Sequence, residues 1–192
     1  MNGTECETPA LLIIDMVKDY FDESRKSPIT RLARPIIDPV NRIIGEFRRR
    51  GRPIVFSTDA FHEDHFFFKS RMHPHAIAGT PGAEVIDALD MKPEDYWLPK
   101  PKMSAFFQTG LEQWLRKRGV TLCAVAGIAT PFCVLTTVLD AVCHDFKAVL
   151  LEDCCMAGSR EIHDRTLELY RRNLLYPLLR VMPSTELLPE LA

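Results

Sequence analysis

The sequence predicts a doubly wound, three-layer α/β domain with a six-stranded, mostly parallel sheet, spanning residues 1–192 as one unit. Two observations carry that prediction. Short, continuous apolar runs alternate with segments of helical periodicity, and the connections between runs are long enough for parallel crossovers. The length of 192 residues suits a single domain, and no linker, repeat or low-complexity tract divides it.

The elements follow in order. Ala10–Ile14 is an unbroken apolar run, as expected of a strand buried on both faces. From Arg31 to Arg50, Leu32, Ile36, Ile37, Val40, Ile43, Ile44 and Phe47 recur at helical spacing. The last turn is basic and Gly51 supplies the stop. Pro53–Thr58 is the second strand. A His- and Phe-rich loop from Asp59 to Pro81 follows, long for a compact domain and therefore a candidate for function. Gly82–Leu89 reads as a short helix in which Glu84 suits the first-turn dipole, and Tyr96–Leu98 as a short strand. Gly110–Arg118 is an amphipathic helix, Thr121–Ile128 the most apolar strand, and Pro131–Phe146 a helix with Val134, Leu135, Val138, Leu139 and Val142 on one stripe. Strand Lys147–Glu152, charged helix Glu161–Leu174 and strand Leu179–Met182 complete the alternation.

Composition narrows the function classes. A net charge of −2 gives no electrostatic case for nucleic acid or a membrane surface. The first residues lack the basic start and apolar run of a secretion signal, and no apolar run approaches a membrane span. The six cysteines, Cys6, Cys123, Cys133, Cys143, Cys154 and Cys155, form no C-x-x-C pair. The expectation is a cytoplasmic protein with reduced thiols that acts on a small molecule, with neither nucleic acid nor membrane as partner.

In open α/β sheets ligands bind beyond the carboxyl ends of the strands. The residues just past those ends are Asp15, Asp59, Lys100 with Lys102, the run Ala129-Thr130-Pro131-Phe132-Cys133, and Asp153. An aspartate, a lysine and a cysteine therefore converge on one rim. With Thr130 as N-cap and Pro131 as first helical residue, Cys133 falls in the first turn, where the helix dipole lowers a thiol's pKa. Unpaired N–H groups there would serve as an oxyanion hole unless the Thr130 hydroxyl caps them. Taken singly, Cys133 equally suits a buried core cysteine and Asp15 a strand-end capping residue. In the long loop, Asp59, His62, His65, His73 and His75 offer N and O ligands for a transition metal, or an aromatic loop with incidental histidines.

These residues lie in motifs that resemble the isochorismatase-like cysteine hydrolase superfamily. The matching runs are Ala10–Met16, Lys100-Pro-Lys-Met-Ser104-Ala-Phe106, Gly127–Val134 and His75–Glu84, which together cover nearly the whole chain in order. The resemblance implies a catalytic triad of Asp15, Lys100 and Cys133, with Lys100 rather than Lys102 as its lysine. It implies a cis peptide at Ile128–Ala129, with the Ala129 and Cys133 amides forming the oxyanion hole. It also implies hydrolysis of a small planar amide, carbamoyl or related C–N compound through a thioester. Isochorismate itself is disfavoured, because the branch acting on that vinyl ether lacks the cysteine. Tyr20, Phe21 and Phe66–Phe68 would wall a flat apolar pocket. Metal-binding nicotinamidases of the superfamily carry Asp-x-His in the second loop; here Phe61 follows Asp59 two places on and His62 is one step late. Asp59, His75 and His62 are thus the candidate ligands of a divalent metal such as zinc. The superfamily also implies a homo-oligomer. Two rival readings remain open on the residues: a redox-responsive or binding protein using Cys133 or Cys154-Cys155, and a metal-dependent hydrolase of another bond.

Overall fold

The structure is a computed structural model that describes residues 7–191; Cys6 lies outside them. Six strands form one sheet: β1 (Pro9–Ile14), β2 (Ile54–Asp59), β3 (Tyr96–Lys100), β4 (Leu122–Ile128), β5 (Lys147–Met156) and β6 (Leu179–Met182). Every neighbouring pair is parallel, in the order β3-β2-β1-β4-β5-β6. The chain winds outward from β1 to β3, then restarts on the other side of β1 with β4. The switch point therefore lies between β1 and β4, where open α/β sheets hold their ligands.

Strand periodicity sorts the core into two halves. Leu11 and Ile13 of β1 face a cluster closed by Val40, Ile43, Ile44 and Phe47. Ala10, Leu12 and Ile14 face one closed by Leu111, Leu115, Val138, Ala141 and Leu167. The first layer is the helix α3 (Ile37–Arg49), preceded by α1 (Lys18–Phe21) and α2 (Pro28–Ala33). The second comprises α4 (Leu111–Arg116), α5 (Leu135–Cys143) and α6 (Arg160–Arg171), and a short α7 (Ser184–Leu187) follows β6. No helix among the described residues is long and apolar enough to cross a membrane.

Several elements depart from the sequence expectation for identifiable reasons. The helix predicted over 31–50 is broken: α2 begins at Pro28, a 3-10 turn at Arg34–Ile36 contains Pro35, and α3 starts with Pro39 in its first turn, where no donor is missed. The predicted helix over 82–89 is absent beyond a 3-10 turn at Pro81–Ala83. Its backbone pairs with the loop after β1: Val17 bridges Val85, Ile86 N–H donates to the Met16 carbonyl at 3.0 Å, and Lys18 N–H to that of Glu84 at 2.9 Å. The Glu84 carboxylate takes the Lys18 ammonium at 2.9 Å instead of serving a helix dipole. Strand β5 runs past Asp153 to Met156, so Asp153 does not mark a strand end. Its carboxylate accepts the Ser184 N–H and hydroxyl, both at 2.7 Å, where α7 begins.

Candidate active site

Each group of the site is delivered by a strand's carboxyl end. Asp15 follows β1 directly with φ 52°, a left-handed conformation that aspartate tolerates better than most side chains. Its Oδ1 accepts the Asp59 N–H at 2.7 Å, which ties the ends of β1 and β2 together. Asp59 and Lys100 are register partners across β2 and β3. The Lys100 ammonium, wholly buried, lies 2.9 Å from Asp15 Oδ2 and also ion-pairs with Asp59 Oδ1. Cys133 arrives from β4. Its sulfur and one oxygen each from Asp15 and Asp59 lie within 4.8 Å of one another. Asp15, Lys100 and Cys133 thus meet at the switch point, as the sequence expects.

The turn carrying Cys133 differs from the predicted plain helix start. Residues Thr130–Val134 form a π turn, with Val134 N–H reaching back five residues to the Ala129 carbonyl at 3.4 Å, before α5 begins at Leu135. Such turns are rare and cluster at functional sites. Ala129, not Thr130, occupies the capping position. The Thr130 hydroxyl instead meets Nδ1 of the buried His163 from α6 at 2.8 Å, so it does not compete for donors at the start of the turn. Ile128–Ala129 is a cis peptide. His163 escaped the sequence reading because nothing in its local pattern distinguishes it from the charged face around it. Gly127 was legible only as part of a motif. Its φ of 113° and the 2.1 Å that would separate an added Cβ from the Ile14 carbonyl oxygen exclude any side chain.

The electrostatics correct one expectation. Cys133 is 9% exposed. Burial first, then the Asp15 carboxylate, push its thiol well above the ordinary range, with the Lys100 ammonium opposing them. Burial and Asp15 thus work against the dipole-lowered thiolate that the sequence suggests. Burial and the neighbouring Asp59 raise Asp15 to about 7. Burial works against the charge on Lys100, but the neighbouring Asp15 and Asp59 carboxylates outweigh it and hold the amine above its ordinary value. One ammonium faces two carboxylates, which leaves Asp15 able to take up a proton near neutrality.

The residues named for a metal do not converge. His62 is exposed, and Asp59, His62 and His75 are not gathered within 4.8 Å among the described residues. Instead, the Tyr20 hydroxyl stands between Asp59 and His75, 3.3 Å from Asp59 Oδ2 and 2.7 Å from His75 Nε2. The trio that does converge, Asp15, Asp59 and Cys133, already shares the Lys100 ammonium, and a divalent ion there would be set against that charge. Asp15, Asp59 and Cys133, rather than Asp59, His62 and His75, are the donors among the described residues gathered closely enough to hold an ion.

A cavity of about 620 Å³ opens above Cys133. Tyr20, Phe66 and Phe67 line it, as predicted. Phe21 does not: it packs, half-buried, against the core cluster that includes Leu11 and Ile13. Phe68 sits edge-on to Phe61 behind the wall. Phe61, Ile29, Met103 and Phe132 were not anticipated, because their distant sequence positions give no sign of a shared pocket. The wall is held by a clamp also missed from the sequence. Asp19 accepts the Ala76 N–H at 2.7 Å and pairs with Arg25 at 2.8 Å, while Arg25 donates to the Pro74 carbonyl at 3.1 Å. Of the alternative thiols, Cys154 and Cys155 are buried, and burial raises both.

A six-stranded parallel sheet wound in this order, with a candidate site at its switch point, is the doubly wound α/β architecture of the isochorismatase-like hydrolases. Residues 9–180 match the family model described as the isochorismatase domain, and the chain belongs to that family. It is 34% identical over 166 residues to a probable inactive nicotinamidase of Arabidopsis thaliana, covering 80% of this chain and 83% of the relative. In three dimensions it is similar to the N-carbamoylsarcosine amidase of Thermoplasma acidophilum (TM-score 0.80, 29% identity, 92% of this chain and 96% of that one). It is similar also to the pyrazinamidase of Pyrococcus horikoshii, solved in complex with zinc (TM-score 0.74, 29% identity, 92% and 99%).

Proposed function

We propose that the protein is a cysteine-dependent hydrolase of a small planar C–N substrate, an amide or carbamoyl compound, working through a thioester. The observation that carries this reading is the meeting of a buried carboxylate, ammonium and thiol from three distant strands at one end of an open cavity. The names of the amidase relatives, N-carbamoylsarcosine amidase and pyrazinamidase, support the bond class.

In the proposed cycle the Cys133 thiol gives its proton to Asp15 as its sulfur bonds to the carbonyl carbon. The backbone N–H groups of Ala129 and Cys133 receive the oxyanion. When the C–N bond breaks, the departing nitrogen takes the proton held by Asp15. Water, deprotonated by Asp15, then cleaves the thioester, releasing the acid and restoring the thiol. Lys100 stays charged throughout and holds Asp15 in place. A thiol that is neutral at rest makes the base indispensable, so the cysteine ionises only as it attacks. The free state of the described cysteines suits a reducing cytoplasm.

The test is a screen of small amides for ammonia release with wild-type protein and Cys133→Ala. The expected result is turnover by the wild type, an acyl adduct on Cys133 by mass spectrometry, and no turnover by a variant whose melting curve is unchanged. Hydrolysis persisting in the folded variant would remove the covalent mechanism.

A further inference from the structure

The lining of the cavity carries an inference about which C–N substrates fit. Its walls are built from Ile29, Phe61, Phe67, Met103, Ile128 and Phe132, and its charged lining residues among those described are Asp59 and Lys69. Asp59 is buried at the catalytic end, and together with Asp15 it outnumbers the single Lys100 ammonium there. Lys69 ends an exposed 3-10 turn at the mouth, in solvent, where an ion pair contributes little. No arginine is among the lining residues. A substrate carboxylate carried into this cavity would lose its water, meet no buried cation open to it, and approach an anionic cluster. The same walls favour apolar surface.

Size points the same way. A cavity of about 620 Å³ falls within the span of roughly 300–1,000 Å³ that holds drug-sized ligands, beyond the needs of one six-membered ring. At its mouth Phe66, Met72 and Phe132 are 69%, 40% and 59% exposed, large apolar side chains that a longer ligand would cover.

We propose that the substrate is an uncharged carboxamide whose acyl half is apolar and extends from Cys133 to the Phe66–Phe132 mouth, and that the site rejects carboxylate-bearing carbamoyl and ureido compounds. This rests on the hydrolase reading and narrows it. N-Carbamoylsarcosine, which gives the Thermoplasma relative its name, is on the rejected side.

Binding and turnover separate the two ideas. Calorimetric titration of Cys133→Ala with arylalkyl carboxamides of increasing chain length, and with N-carbamoyl amino acids of matched size, reads the cavity without chemistry. The amides are expected to bind, each added methylene tightening Kd roughly fourfold until the mouth is filled. The carboxylates are expected to bind at least tenfold more weakly. Equal or tighter carboxylate binding, no gain with chain length, or no amide binding overturns the substrate class. Wild-type kinetics on the same series then judge the other claim. If the amides bind as expected and are not cleaved, the cavity's preference for apolar uncharged ligands stands, while the amide-hydrolysis reading and with it the carboxamide as substrate fall.

Discussion

The proposed chemistry turns on Asp15, whose setting makes a signed prediction. With its carboxyl raised to about 7, the base form grows as pH rises through neutrality. The value of kcat/KM is expected to climb about tenfold per pH unit below that point and to level above it. Asp15→Asn should abolish this limb and lower the rate by roughly 10²- to 10⁴-fold. A profile flat between pH 5 and 8 would remove Asp15 as the base. The same shift has a stability consequence. The native carboxyl holds its proton to higher pH than the unfolded one, which titrates near about pH 4. The contribution of this group to stability is therefore full below about pH 4 and is lost as pH rises to about 7. Asp15 was legible in the sequence because strand ends in this fold have a known destination; the strand end left Lys100 and Lys102 both open, and the motif resemblance selected Lys100. The thiol's high setting was not, since burial by packed neighbours leaves no local mark.

At the scale of elements, the closest tolerance lies between β1 and β4. Ile14 and Gly127 are register partners, and the strands meet there with room for hydrogen alone. Gly127→Ala is expected to destabilise the fold by more than about 3 kcal/mol, read by chemical denaturation, since a backbone oxygen must move and φ is unfavourable. A loss below about 1 kcal/mol would show that β1 and β4 separate easily at their ends. The strands themselves were read well, because a doubly covered parallel strand is one unbroken apolar run; β1 and β6 came out within a residue. Helices fared worse where tertiary pairing overrides pattern. Residues 82–89 have an apolar spacing that suits a helix, yet their backbone groups are claimed by Met16, Val17 and Lys18. The π turn has no sequence signature separate from an ordinary helix start.

For the whole molecule, the sheet supplies the floor, and the segments that follow β1, β2, β3 and β4 supply the wall. The wall depends on the Asp19–Arg25 clamp, which joins the segment after β1 to Pro74 and Ala76 on either side of His75. Arg25→Met is expected to raise KM several-fold with kcat changed less than about threefold, and to speed proteolysis within residues 61–75. An unchanged KM would mean that the loop keeps its place without the clamp. The fold class and the converging triad were readable because they follow from strand order. The wall was not, as it assembles from Ile29, Phe61, Met103 and Phe132, whose proximity only the finished fold creates.

The Tyr20 hydroxyl stands between Asp59 and His75, and Lys100 is tethered between the two carboxylates. The positive charge that the proposed mechanism needs among these carboxylates is thus supplied by translation and is in place as soon as β1, β2 and β3 pair.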